Sequence, residues 1–191
     1  MKTDLRTIKT KTSIKNAFKD LMMDTTFDKI TVQAICDKAL INRVTFYNHY
    51  SDKYDLFNDY LDETLMNVFN ESVNEYNIKS QPDLFFKSLF QNIARLCFTN
   101  KNILKTIEFQ ENSIIAFIIQ NTAYDKLKRL LEMNFSPNEL KYPASTISAF
   151  LMGGFTNIIS YYVNNKNSNF DALIKESSSI IDDLLKAIII K

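Results

Sequence analysis

The chain has 191 residues, 46% of them hydrophobic and 24% charged, with a net charge of +1, which suits one large domain or two small ones. Only 2 glycines and 3 prolines leave little turn chemistry, which argues against a strand-rich sandwich and predicts long helices. Two cysteines, Cys36 and Cys97, and one histidine leave no set with zinc spacing, so both thiols are expected free and buried in a reducing cytoplasm.

The first nineteen residues carry Lys2, Arg6, Lys9, Lys11, Lys15 and Lys19 against Asp4 alone, a net +5, so the remainder is −4. A basic arm on a mildly acidic body suits contact with a polyanion, and it contains no apolar signal-peptide core. Ile14, Ala17, Phe18, Leu21 and Met22 follow the spacing of an amphipathic helix that should end near Asp24-Thr25-Thr26. Thr31 reads as the N-cap of a short helix through Ala39, and Asn42 as the cap of a second running to about Tyr50. Ser51-Asp52 opens a longer helix that is expected to bury Tyr54, Leu56, Phe57, Leu61, Leu65 and Phe69 and could pass Glu75. Short helix, tight turn, short helix, long helix is the order of a helix-turn-helix unit on a stalk.

Beyond the polar break at Asn77–Pro82, helices are expected over about 82–98, 101–110 and 112–134. Ser136-Pro137-Asn138-Glu139 has the cap, proline and glutamate of a helix start. Another helix should fill about 143–164. The uncharged run Tyr142–Asn165 is broken by serine, threonine and asparagine, so it predicts a buried or subunit-facing helix rather than a membrane span. From near Asn169 a last helix places Phe170, Leu173, Ile174, Ile181, Leu184 and Ile188 on one stripe. The fold is expected to be all-α, with a helix-turn-helix domain over residues 1–57 joined through the long helix to a helical bundle over 58–191.

The run NRVTFYNHYSDKYDL, from Asn42 to Leu56, is donor-rich and aromatic where a recognition helix meets base edges. Thr45, Phe46, Tyr47, His49, Tyr50, Lys53 and Leu56, preceded by Phe27, Ile30, Thr31, Ile35 and Ala39, resemble the DNA-binding domain of the TetR/AcrR family of transcriptional regulators over about residues 6–57. The resemblance implies that Thr45, Tyr47, His49 and Lys53 grip phosphates and that Gln33 reaches a base, while Thr31, at a helix N-terminus, adds a hydroxyl and backbone N–H groups suited to an anion. From their own chemistry, Arg43 can pair with guanine or phosphate, Asn42 or Asn48 with adenine, and Val44 with a thymine methyl. Blander readings stand beside these: Phe46 and Tyr50 as core, His49 as a surface or capping residue, Lys53 as a helix-face lysine. Two usual family glycines are replaced, at the inter-helix turn by Leu40 and before the threonine by Val44.

For the remainder, the resemblance implies a homodimer on a palindromic double-stranded operator, acting as a repressor released by a small molecule. The segment KYPASTISAFLMGGFTNIISYYV, from Lys141 to Val163, loosely resembles the TetR subgroup of dihydroxyacetone-kinase regulators. Gly153, Gly154, Ile158, Tyr161, Ile181, Leu184 and Ile188 are candidates for the dimer surface. The two glycines would equally suit close helix packing within the chain. Phe85, Phe86, Phe90, Phe98, Phe109, Phe117 and Tyr124 could line an apolar effector cavity or form plain core. The competing reading is a ligand-sensing or protein-interaction partner of the same fold that no longer binds DNA. No nucleophile–base set, metal cluster or phosphate-binding glycine loop points to an enzyme or a cofactor.

Overall fold

A computed structural model describes residues 5–99, 114–165 and 169–188, and among these it contains eight α-helices and no strand. We number them α1 (Leu5–Asp24), α2 (Val32–Ala39), α3 (Arg43–Tyr47), α4 (Lys53–Glu75), α5 (Pro82–Thr99), α6 (Ile114–Asn134), α7 (Ala144–Asn164) and α8 (Phe170–Ile188). A 3-10 turn, Phe27–Lys29, leads into α2. The helix expected over about 101–110 lies outside the described residues.

Helices α1 to α3 and the start of α4 close around aromatic rings. Phe18, Phe27, Phe46 and Phe57 are fully buried. Phe27 and Phe57 meet at 5.2 Å between centroids, with Phe18 at 6.2 Å from each. Rings of this size bury large apolar areas and lock mutual orientation through edge-on contacts. Phe46, from the middle of α3, packs on Tyr50 at 5.9 Å, so both are core residues.

Helix α4 leaves this head and forms one wall of the body. Its buried stripe Leu61, Leu65, Val68 and Phe69 keeps the helical period far past the head. It packs on α5 and α6, α6 packs on α7, and α8 closes against α5 and α7. Polar bonds fix the register of these contacts. Ser88 donates to Glu75 at 2.8 Å, while Lys87 pairs with Asp182 at 2.6 Å and Lys126 with Asp62 at 2.7 Å. Phe85, Phe86 and Phe90 are core, and Phe90 meets Phe155 edge-on at 4.8 Å. They had been candidates for a cavity wall, but the helix interfaces bury them outright.

The segment Ser136–Glu139 departs from expectation. Glu139 accepts bonds from the Ser136 backbone N–H at 2.7 Å and hydroxyl at 2.9 Å, while its own N–H donates to the Ser136 backbone carbonyl rather than to the hydroxyl, and the chain forms only a turn. Pro143, just ahead, leaves the residue before it disfavoured in helical geometry, and α7 begins only after it. Bonds from Ser136, joined by the Lys79 ammonium, hold the Glu139 carboxyl down at about 2. No helix among the described residues is long and apolar enough to cross a membrane.

Candidate nucleic-acid interface

The two short helices are defined by their caps. The Thr31 hydroxyl accepts from the Ala34 N–H at 3.1 Å and the Asn42 side-chain carbonyl from the Thr45 N–H at 2.8 Å. Each satisfies a donor that a first helical turn leaves unpaired. Between them, Leu40 takes the left-handed conformation, φ 55° and ψ 43°. Its N–H donates to the Asp37 carbonyl at 3.3 Å, and that of Ile41 to the Cys36 carbonyl at 3.0 Å. These two bonds are the Schellman ending that usually carries glycine. The turn therefore keeps the shape glycine would give, and leucine accepts the strain with its side chain 92% exposed. The Ser13 hydroxyl, from α1, donates to the Ala39 carbonyl at 3.2 Å and ties this corner down.

The exposed surface of α3 and its flanks gathers most of the expected contact residues. Asn42, Arg43 and Asn48 are exposed, as are Val44 at 69% and Tyr47 at 54%, while Thr45 and His49 are half-buried. Tyr47 stands edge-on to Phe46 at 5.5 Å, so its ring is propped by the core while its hydroxyl end reaches outward. Val44 is β-branched and solvent-facing, the position from which a methyl contact to thymine is possible. Thr31 and Gln33 lie on α2 beside this face. Gln33 does not hold its amide free. Its oxygen accepts from the Arg43 Nε at 2.6 Å and its nitrogen donates to Asp37 at 2.6 Å.

Lys53 departs from the phosphate grip the resemblance implies. Its ammonium donates to the carbonyls of Phe27 at 3.1 Å, Asp28 at 3.2 Å and Ile30 at 3.0 Å, and it sits 4.5 Å from the centre of the Phe27 ring. An ammonium has three donors, and here all three are used. Burial lowers its pKa from the ordinary lysine value, with the Asp28 charge opposing. In this conformation Lys53 binds the start of α4 to the loop that feeds α2.

The basic arm is likewise partly spent inside the molecule. Lys11 and Lys15 lie 3.5 Å and 3.7 Å from Asp59 on α4, and Lys15 also pairs with Glu63. Asp59 accepts the Tyr50 hydroxyl bond at 2.7 Å. Burial pushes the Asp59 carboxyl up, but the Tyr50 bond and the two lysines outweigh it and the net shift is down. The Tyr50 hydroxyl is raised by burial and by that same carboxylate. Neither Asp37 nor Asp59 was singled out from sequence, because their partners lie on other elements.

Deeper in the body, α4, α5, α6 and α7 enclose a cavity of about 80 Å³. Phe57, Tyr60, Ile93, Cys97, Ala123 and Phe155 are among its walls, and no Asp, Glu, Lys, Arg or His among the described residues lines it. Burial raises the Cys97 thiol to about 12, so it is a neutral wall group. Of the expected pocket aromatics, Phe117 and Tyr124 instead border a separate shallow groove with Gly153, and Phe117 is 68% exposed. Phe98 packs on Phe170 at 5.3 Å, and Phe109 lies outside the described residues. The nearest sequence signal for this cavity was the apolar face of α4, which reads as ordinary core.

On α7, Gly153 is half-buried and Gly154 exposed, and a Cβ added to either would meet open space. Among the described residues nothing packs closely against either glycine. Tyr161 is 65% exposed and Ile158 half-buried on the same helix. Ile181 is buried on α8 and belongs to the core, where α8 packs against α5 and α7. Leu184 is half-buried, and the Ile188 side chain lies outside the description.

No family model matches the chain. It is 29% identical over 87 residues to the HTH-type dhaKLM operon transcriptional activator DhaS of Lactococcus lactis, a match spanning 46% of each chain, so it covers about half the length of that curated relative. Among solved structures it is similar to a TetR regulator from Streptococcus agalactiae, with TM-score 0.60 and 20% identity over 93% of this chain and 96% of that one. A TetR-family regulator from Syntrophomonas wolfei gives 0.70 and 14% over 92% and 94%. FadR from Bacillus subtilis, in complex with stearoyl-CoA, gives 0.62 and 14% over 89% and 96%. The similarity runs through head and body alike, and the chain has the all-α fold of the TetR-family transcriptional regulators.

Proposed function

We propose that the chain is a dimeric, sequence-specific DNA-binding regulator, with residues 1–57 as the reading head and 58–191 as a dimerising and sensing body. The observation that carries the reading is the capped helix-turn-helix. Its Leu40 corner keeps the glycine-type geometry, and its outer face presents Arg43, Val44, Tyr47 and Asn48 to solvent. A distorted corner would have favoured a partner protein that has lost DNA binding; an intact one favours a working head. Asn42, Asn48 and Arg43 then read base edges, Val44 meets a thymine methyl, and Thr31, Thr45, Tyr47 and His49 face phosphates. Lys53 supports this face from behind by holding the loop ahead of α2.

Two heads need a two-fold axis, and α7 offers the surface for it: Gly153, Gly154, Ile158 and Tyr161, continued by Leu184 on α8. A C2 dimer places the heads on the half-sites of a palindrome. The effector is a small neutral apolar molecule, because the body cavity carries no charged wall among the described residues. Filling it would act on α4, which lines the cavity with Phe57 and runs directly from the head. We assign repression released by that molecule. The Lactococcus relative bears the name of an activator, so a reporter with the operator ahead of a promoter reads the sign directly.

Selection from a random duplex pool by the full-length protein tests the central claim. Enrichment of a palindrome, with strongly salt-dependent binding, is the expected outcome. A folded dimer that enriches no sequence at low salt would remove the regulator reading.

A further inference from the structure

We infer that Asp37, acting through Gln33, is a positioning residue that sets Arg43 to read one particular base pair; this rests on the DNA-binding reading above. Arg43, Gln33 and Asp37 form a chain of two hydrogen bonds across the outer face of the helix-turn-helix, each 2.6 Å long. All three residues are exposed, so nothing in the core requires the arrangement.

The direction of the chain is set by its two ends. A guanidinium only donates and a carboxylate only accepts. Between them the Gln33 amide has a single workable orientation, oxygen toward Arg43 and nitrogen toward Asp37. Gln33 and Asp37 sit four residues apart, one turn along α2, a helix capped at both ends by Thr31 and the Leu40 corner. Arg43 is the first residue of α3. The chain therefore spans the two helices of the motif and clamps the arginine against α2.

Using Nε in this way leaves both Nη groups of Arg43 pointing onward as a pair, which is what a guanine edge accepts end-on. A free arginine side chain forfeits rotamer entropy when it is immobilised. Here much of that ordering exists before DNA arrives. Asp37 also puts a negative charge on the face that meets a polyanion, which weakens binding to every sequence alike. Its presence on that face is accounted for if it trades general affinity for discrimination, since specificity is a difference between affinities.

The test uses the full-length protein and the palindrome it enriches from a random pool, together with the same duplex carrying single base-pair changes. Arg43→Ala should relax discrimination at one position per half-site, roughly 5-fold to 150-fold for a bidentate pair. Asp37→Ala should lose several-fold of that preference at the same position and no other, while non-specific affinity holds or rises. Asp37→Asn removes the charge but keeps the acceptor, so it should gain the same non-specific affinity and retain discrimination. In an Arg43→Ala background, Asp37→Ala should change discrimination no further. Equal effects of Asp37→Ala on all sites, or a loss that persists without Arg43, would overturn the assignment while leaving the regulator reading intact. A wild-type protein that enriches nothing would overturn both.

Discussion

Leu40 holds a left-handed backbone in a turn where its side chain touches almost nothing. A left-handed conformation costs an L-residue with a Cβ about 1–2 kcal/mol, and glycine avoids most of that at some entropic cost in the unfolded chain. Because the exposed leucine contributes little burial, Leu40→Gly should raise unfolding free energy by about 0.5–1 kcal/mol, measured by urea denaturation, with the helix-turn-helix unchanged. A loss of stability would mean that the side chain does something the Schellman bonds do not reveal. Lys53 teaches a related lesson. Its place in the motif suggested a phosphate, yet three carbonyls around one ammonium make it a tie between α4 and the loop before α2.

At the scale of the element, the junction of α1, α4 and the end of the recognition segment is held by one carboxylate. Asp59 takes the Tyr50 hydroxyl and faces Lys11 and Lys15, so it links three parts of the head at a single point. Its folded pKa is depressed, so the stabilisation it supplies is complete above the unfolded aspartate value of about 3.9 and is lost as pH falls through the folded value. Asp59→Asn should therefore lower stability at pH 7, and the gap to wild type should close as the pH is lowered below about 4. A gap that stays constant between pH 7 and pH 3 would show that the carboxylate charge is not what matters. The caps were legible in the sequence, because Thr31, Asn42 and Asp52 act within a few residues of themselves. The Asp59 cluster was not, because its partners approach from positions 11, 15 and 50 only after the helices have packed.

For the whole molecule, the proposed dimer rests on the exposed face of α7. An exposed Gly154 with open space above it gains nothing from packing inside the chain. Mid-helix glycine costs about 1 kcal/mol relative to alanine. Gly154→Ala should therefore stabilise the isolated subunit by up to about 1 kcal/mol while weakening self-association through the added methyl. Thermal unfolding and light scattering across a dilution series would read these two effects separately. Unchanged association in the variant would place the subunit interface elsewhere.

The sequence by itself determined the all-α class, the helix-turn-helix and most of the residues on its exposed outer face. These follow from local rules: periodicity, capping residues and a dense short motif, each acting within a turn or two of helix. Tertiary structure alone decided that Phe85, Phe86, Phe90 and Ile181 are core, that Phe117 is exposed, and that the cavity lies between α4, α5, α6 and α7. An apolar stripe states that a helix face will be buried but not against what, since wall and core residues have the same hydropathy and the same spacing. It also decided that Lys11, Lys15 and Lys53 turn inward to acceptors on other elements, because a charge in a sequence carries no record of the partner that folding brings to it.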